Sequence, residues 1–120
     1  AIPSYTEYMT KTRRADGQAA LLDLANRMER YYSQNLTYAT ATIASGNPTD
    51  VLSSSNSPEN WYTLTIPTKT ASSYSLQATP QNIQATNDTR CQSLTLDSAG
   101  VKGIANGPSG APTGNVTECW

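Results

Sequence analysis

The chain has 120 residues and a mass of 12.9 kDa, 37% of them hydrophobic, which is enough for one small domain and not for two. Eight Lys and Arg against nine Asp and Glu leave a net charge of −1, so there is no general electrostatic pull toward nucleic acid or anionic lipid. Histidine is absent, which removes imidazole catalysis and the commonest zinc ligand, and a quarter of the chain is Ser or Thr, a composition that suits an extracellular surface better than a cytosolic enzyme.

From Ser4 to about Gln34 there is no proline and a single glycine, Gly17, while Gln18-Ala19-Ala20-Leu21-Leu22-Asp23-Leu24-Ala25 is rich in helix formers. The expected element is one helix over about 4–34. Leu21, Leu24, Met28 and Tyr31 recur at spacings of three and four and form its core face. Some 30 residues at about 1.5 Å each make a rod of roughly 45 Å, longer than a domain this size needs, so part of it is expected to protrude. The protruding part is the N-terminal one, where the apolar stripe gives way to Tyr5, Tyr8 and Met9 and then to Lys11, Arg13 and Arg14. Ser4-Tyr5-Thr6-Glu7 matches a capping box, and Ala1-Ile2-Pro3 reads equally as the tail of a longer apolar helix. Asn35 is the candidate left-handed cap that ends the element.

Residues 36–60 form a long polar connection with Tyr38, Ile43, Val51 and Leu52 as its anchors, and loops of such length are commonly functional. After Pro58 the period changes to two. Tyr62, Leu64 and Ile66 share one face of a strand that Pro67 should stop, and Tyr74, Leu76 and Ala78 share one face of a second, stopped by Pro80. Leu94 and Leu96 mark a third, and Val101–Ile104 a fourth, giving an antiparallel sheet over 61–104. The helix stripe and the inner sheet face can bury only each other, so the expected fold is α+β, a long N-terminal helix packed on four antiparallel strands, in a single domain spanning 1–120. Residues 105–118 are rich in Gly and Pro and have little core of their own.

Cys91 and Cys119 have neither a CxxC spacing nor histidine partners, so a structural disulfide closing residues 91–119 is the simple reading; two unrelated buried thiols are the alternative. In the chain-entropy account such a bond stabilises the fold by about 3.5 kcal/mol, and it persists in an oxidising compartment. No apolar run approaches 20 residues, and the start at Ala1 without a methionine reads as cleavage or truncation.

The search for reaction chemistry finds little. Serines are abundant, but no base accompanies them: histidine is absent and no SxxK spacing exists. Gly103–Gly110 lacks the Lys-Ser or Lys-Thr of a phosphate loop, and Asp88 and Asp97 lack the alternating acids of a calcium loop. No catalytic residue, cofactor or metal site is expected. Lys11, Arg13 and Arg14 form a basic cluster within a turn of Glu7 and Asp16, so an ion-paired or inter-subunit face is preferred to nucleic-acid binding.

Ala1-Ile2-Pro3-Ser4-Tyr5, Tyr8, Arg13-Arg14-Ala15-Asp16, the Gln18–Ala25 run and Met28-Glu29-Arg30-Tyr31-Tyr32 together resemble the N-terminal helix of type IV pilins, closest to minor pilins of the PilE type. Tyr62-Thr63-Leu64, Tyr74–Pro80, Cys91–Asp97, Gly100-Val101-Lys102-Gly103 and terminal Cys119-Trp120 are similar to that family's strands, turn and disulfide-closed end. The family's cleavage site, N-methylated first residue and apolar membrane half-helix are missing before Ala1, so the chain looks like the soluble part of such a subunit. Gly17 stands where a helix former is usual, at a cost of up to about 1 kcal/mol, and is expected to allow a bend.

The resemblance implies a structural, non-enzymatic subunit, held in the inner membrane facing an oxidising periplasm and then polymerised into an extracellular fibre. Such minor pilins help prime assembly and link a tip complex to the major-pilin shaft, serving twitching motility, adhesion and DNA uptake. Its implied partners are other minor pilins and the major pilin, a tip adhesin indirectly, and the inner membrane through the missing half-helix. Tyr5, Tyr8, Met9, Lys11, Arg13 and Arg14 are the expected subunit contacts. The alternatives are a DNA-receptor or major pilin, a pseudopilin of type II secretion, and, outside that class, a small secreted hydrolase.

Overall fold

A computed structural model describes residues 5–120. The candidate cap at Ser4 and the Ala1-Ile2-Pro3 segment lie outside the described residues. Helix α1 (Tyr5–Asn35) lies across a four-stranded antiparallel sheet of order β3-β4-β5-β6, made of β3 (Tyr62–Lys69), β4 (Tyr74–Pro80), β5 (Ser93–Asp97) and β6 (Lys102–Ala105). Between helix and sheet, the short strands β1 (Thr42–Ile43) and β2 (Asp50–Leu52) pair in parallel. Two short helices complete the chain, α2 (Ile83–Asn87) before β5 and α3 (Val116–Cys119) at the end.

The core lies between helix and sheet. Leu21, Leu24 and Met28 of α1 meet Tyr62, Leu64, Tyr74, Leu76, Ala78, Leu94 and Leu96 of the sheet, all buried, each large aliphatic side chain contributing about 1.5–3 kcal/mol. Tyr31 and Ile66 are only half-buried at its edge. Tyr31 instead shares a hydrogen bond with the Thr40 hydroxyl at 2.6 Å.

Four local expectations are corrected. Pro67 does not end β3: the strand runs on to Lys69, with the register broken between Thr65 and Thr68. β3 is an edge strand, so an irregularity there accommodates a residue that cannot donate to a ladder. The left-handed residue after α1 is Leu36 (φ 57°), not Asn35, whose side-chain amide stays in the helix and donates to the Tyr31 carbonyl. The connection over 36–60 contains β1 and β2 and buries Ala41 as well as Tyr38. Gly17 does not interrupt α1, and its role is packing: a Cβ there would lie 2.9 Å from the Tyr62 ring, so glycine lets a fully buried tyrosine lie against the helix backbone.

Candidate assembly surface

The first turns of α1 pass the end of the sheet. Tyr5 and Tyr8 are 76% and 66% exposed, Lys11 is exposed, and Met9 is half-buried. The first deep contact comes at Thr10, which is buried and whose carbonyl accepts from the amide of buried Gln84 in α2 at 3.0 Å. The other Gln84 donor bond goes to the Tyr62 hydroxyl, also at 3.0 Å, so this amide joins helix, sheet and α2.

Arg13 and Arg14 are not part of the overhang. The Arg14 guanidinium makes a two-pronged ion pair with Asp88, and the Arg13 guanidinium lies over the Trp61 ring, 4.2 Å from its centre. Asp16 serves neither arginine. Its carboxylate accepts from the Ser57 hydroxyl and from the backbone N–H groups of Glu59 and Trp61, fixing the approach to β3. Local i to i+4 spacing pointed to pairing along the helix. The partners that compete successfully come from loops far along the chain, because they are pre-placed and partly desolvated.

At the opposite end of α1, Glu29 accepts from the Tyr38 hydroxyl (2.9 Å) and the Tyr74 hydroxyl (2.9 Å), while the Tyr38 ring stacks on Tyr32 and meets Tyr74 edge-on. Burial first, then the bond to the Glu29 carboxylate, pushes Tyr38 up to about 12 and raises Tyr74 well above the usual tyrosine value. The β1–β2 loop is held by Asp50, which accepts from the Thr42 and Ser45 hydroxyls and the Ser45 and Gly46 N–H groups. The Ser45 and Thr42 hydroxyl bonds, followed by the backbone ones, drive its carboxyl well below the carboxylate range.

Cys91 and Cys119 are disulfide-bonded, with Cα atoms 5.7 Å apart. The tail is docked further by the Trp120 indole N–H, which donates to Gly103 of β6, by Lys102 over the Trp120 ring, and by an Arg90–Glu118 ion pair. Hydrogen bonds to Arg90 lower the Glu118 carboxyl. Periodicity carried no signal for Trp61, Gln84 or Asp88, because their roles depend on contacts across more than 20 residues. Among the described residues no cluster of three or more His, Cys, Asp or Glu is placed to hold a metal, and no helix is long and apolar enough to cross a membrane.

Comparison with known proteins agrees with this architecture. A family model described as type IV minor pilin ComP, DNA uptake sequence receptor, matches residues 3–95. The fold is similar to that of the non-core minor pilin PilV of Neisseria meningitidis, at 24% identity over 90% of this chain and 98% of that one, with a TM-score of 0.63. A type IV pilin from Shewanella oneidensis is also similar, at 28% identity over 78% of this chain and 89% of that one, with a TM-score of 0.52. No curated protein matches the chain significantly.

Proposed function

The chain belongs to the ComP family of type IV minor pilins, and from that premise we propose that it is a structural subunit of a type IV pilus, helping prime assembly and joining the tip complex to the major-pilin shaft. The carrying observation is the overhang of α1, whose exposed Tyr5 and Tyr8 have no partner in the domain's core. Large exposed aromatics grouped at one end of a helix are an interaction surface. Tyr5, Tyr8 and Lys11 meet neighbouring subunits, Met9 sits at the edge of that contact, and Arg13 and Arg14 brace it from within. The subunit works without catalysis or cofactor. It is anchored in the inner membrane before assembly and faces the periplasm, where the Cys91–Cys119 bond forms. Its neighbours are other minor pilins and the major pilin, and through them a tip adhesin.

A second reading, a receptor for DNA, is favoured by the description of the matching family. The charge distribution weighs against it. Among the described residues Arg14, Arg27 and Arg90 are ion-paired, Arg13 and Lys102 lie on tryptophan rings, and Lys69 donates to the Ala41 carbonyl, so six of the eight Lys and Arg side chains are already engaged within the domain.

Deletion of the gene in its source bacterium separates the two. Loss of surface pili and of twitching, restored by the wild-type gene and not by a Tyr5→Ser, Tyr8→Ser variant, supports the assembly role, with the chain recovered in sheared fibres. Normal piliation with loss of DNA uptake alone would overturn it in favour of the receptor.

A further inference from the structure

Arg13 is half-buried on α1 and makes no ion pair among the described residues. The carboxylate that helix spacing offers it, Asp16, is taken by the Ser57 hydroxyl and the N–H groups of Glu59 and Trp61. The Arg13 guanidinium lies instead over the Trp61 ring, and its Nε is buried with no hydrogen-bond partner. Stacking uses the face of the group and fixes its plane, so the nitrogens at the tip are held in one orientation without a carboxylate to meet. This guanidinium borders a cleft of about 490 Å³ between α1 and the approach to β3. Met9, Ala15, Ala19 and Pro58 give the cleft an apolar wall, and Asp16 and Glu59 lie along it.

We propose that this cleft binds a single carboxylate carried on an apolar body, the tip of the Arg13 guanidinium taking the carboxylate and the apolar wall taking the body. Three features select that chemistry. A guanidinium held flat presents a two-pronged fork that matches the two oxygens of a carboxylate. The wall rewards a ligand whose remaining surface leaves water. Last, one arginine stands beside the carboxylates of Asp16 and Glu59, so a doubly charged phosphate meets two like charges for one fork, whereas a monoanion is matched by a single cation. A free organic acid and the C-terminal residue of an apolar peptide share this chemistry. The chain's own Trp120 is held against Gly103 and Lys102, so the occupant comes from outside the domain.

The test uses the isolated chain, so its outcome is independent of whether the protein enters a fibre. The isotopically labelled chain is titrated with phenylacetate and followed by NMR. Saturable shifts are expected in the Arg13 Nε–H and Trp61 indole N–H signals, with the Trp120 indole signal unmoved. Phenyl phosphate and neutral phenylacetamide are expected to bind about tenfold more weakly or not at all. Arg13→Met should abolish the phenylacetate response, with melting checked to confirm that the variant folds. Ala15→Glu, a change at an exposed position that leaves Arg13 in place, should weaken it as well. A parallel titration with acetyl-Ala-Phe, its C-terminus free or amidated, identifies the source: binding of the free form alone supports a peptide end, and binding of phenylacetate without either peptide supports a free acid. Three results would each overturn the proposal. They are phenyl phosphate binding as tightly as phenylacetate, the same shifts in folded Arg13→Met, and no saturable shift with tens of millimolar phenylacetate.

Discussion

Arg14 and Asp88, 74 positions apart, form a two-pronged ion pair with N···O distances of 2.9 and 3.0 Å in which the Asp88 side chain is 1% exposed. Asp88 also accepts from the Cys91 N–H, and its carbonyl accepts from the Gln92 N–H and side-chain amide. One residue therefore couples α1 to the start of the disulfide-closed region. Removing one member of a buried pair strands the other charge, a loss of about 3–5 kcal/mol. Asp88→Ala is expected to fall in that range by denaturant unfolding, and Arg14→Met with Asp88→Leu to recover most of the loss. Equal destabilisation by the single and double variants would show that the pair is not the coupling element.

Gly17→Ala tests the Tyr62 contact. Helix propensity alone favours alanine by about 1 kcal/mol, but the new methyl would stand 2.9 Å from the Tyr62 ring. Overpacking of this kind costs about 1–3 kcal/mol, so net destabilisation is expected, partly relieved in combination with Tyr62→Leu. A rise in melting temperature for Gly17→Ala alone would refute the close approach.

Loss of the disulfide is expected to lower stability by about 3.5 kcal/mol and to release the tail locally. In Cys91→Ser with Cys119→Ser, the Trp120 indole loses the anchor that holds it to Gly103. Its fluorescence should shift red toward that of an exposed tryptophan before the core melts, with Trp61 replaced by Phe to isolate the signal. A single cooperative transition with unchanged Trp120 emission would place the tail's docking elsewhere.

The tyrosine pair on Glu29 contributes to the alkaline limit, alongside buried Tyr62, which burial also raises. Tyr38 is pushed up to about 12 from 10.0 in the free side chain, and Tyr74 is raised too. A group with a raised folded value stabilises fully below its unfolded value and loses that contribution as pH climbs through the folded one. The pair's contribution is therefore expected to decline from about pH 10 upward, the Tyr38 part being lost around pH 12 and the Tyr74 part only above it. Tyr38→Phe with Tyr74→Phe should flatten that decline while weakening the fold at neutral pH, as followed by urea unfolding at stepped pH.

Residue order determined the long helix, the four strands of the main sheet and most of the core. Proline-free helix formers, a three-and-four spacing in Leu21, Leu24 and Met28, and the period of two in Tyr62–Ile66 and Tyr74–Ala78 are local patterns, and local backbone geometry alone turns them into a helix face and a sheet face. Two faces of that size must cover each other, so the α+β architecture was legible too. The partners of polar groups were not. Arg13 could have paired with Asp16, three residues on along the helix, and the choice of Asp88 by Arg14 depended on α2 and the disulfide bringing that carboxylate, already desolvated, to the helix. The same holds for Gly17, whose purpose is visible only beside Tyr62, and for Asp16, which holds the 57–61 loop. Side-chain pairing across more than 20 residues is settled by which groups the packed backbone brings together and how dry it leaves them. Spacing along the chain records neither.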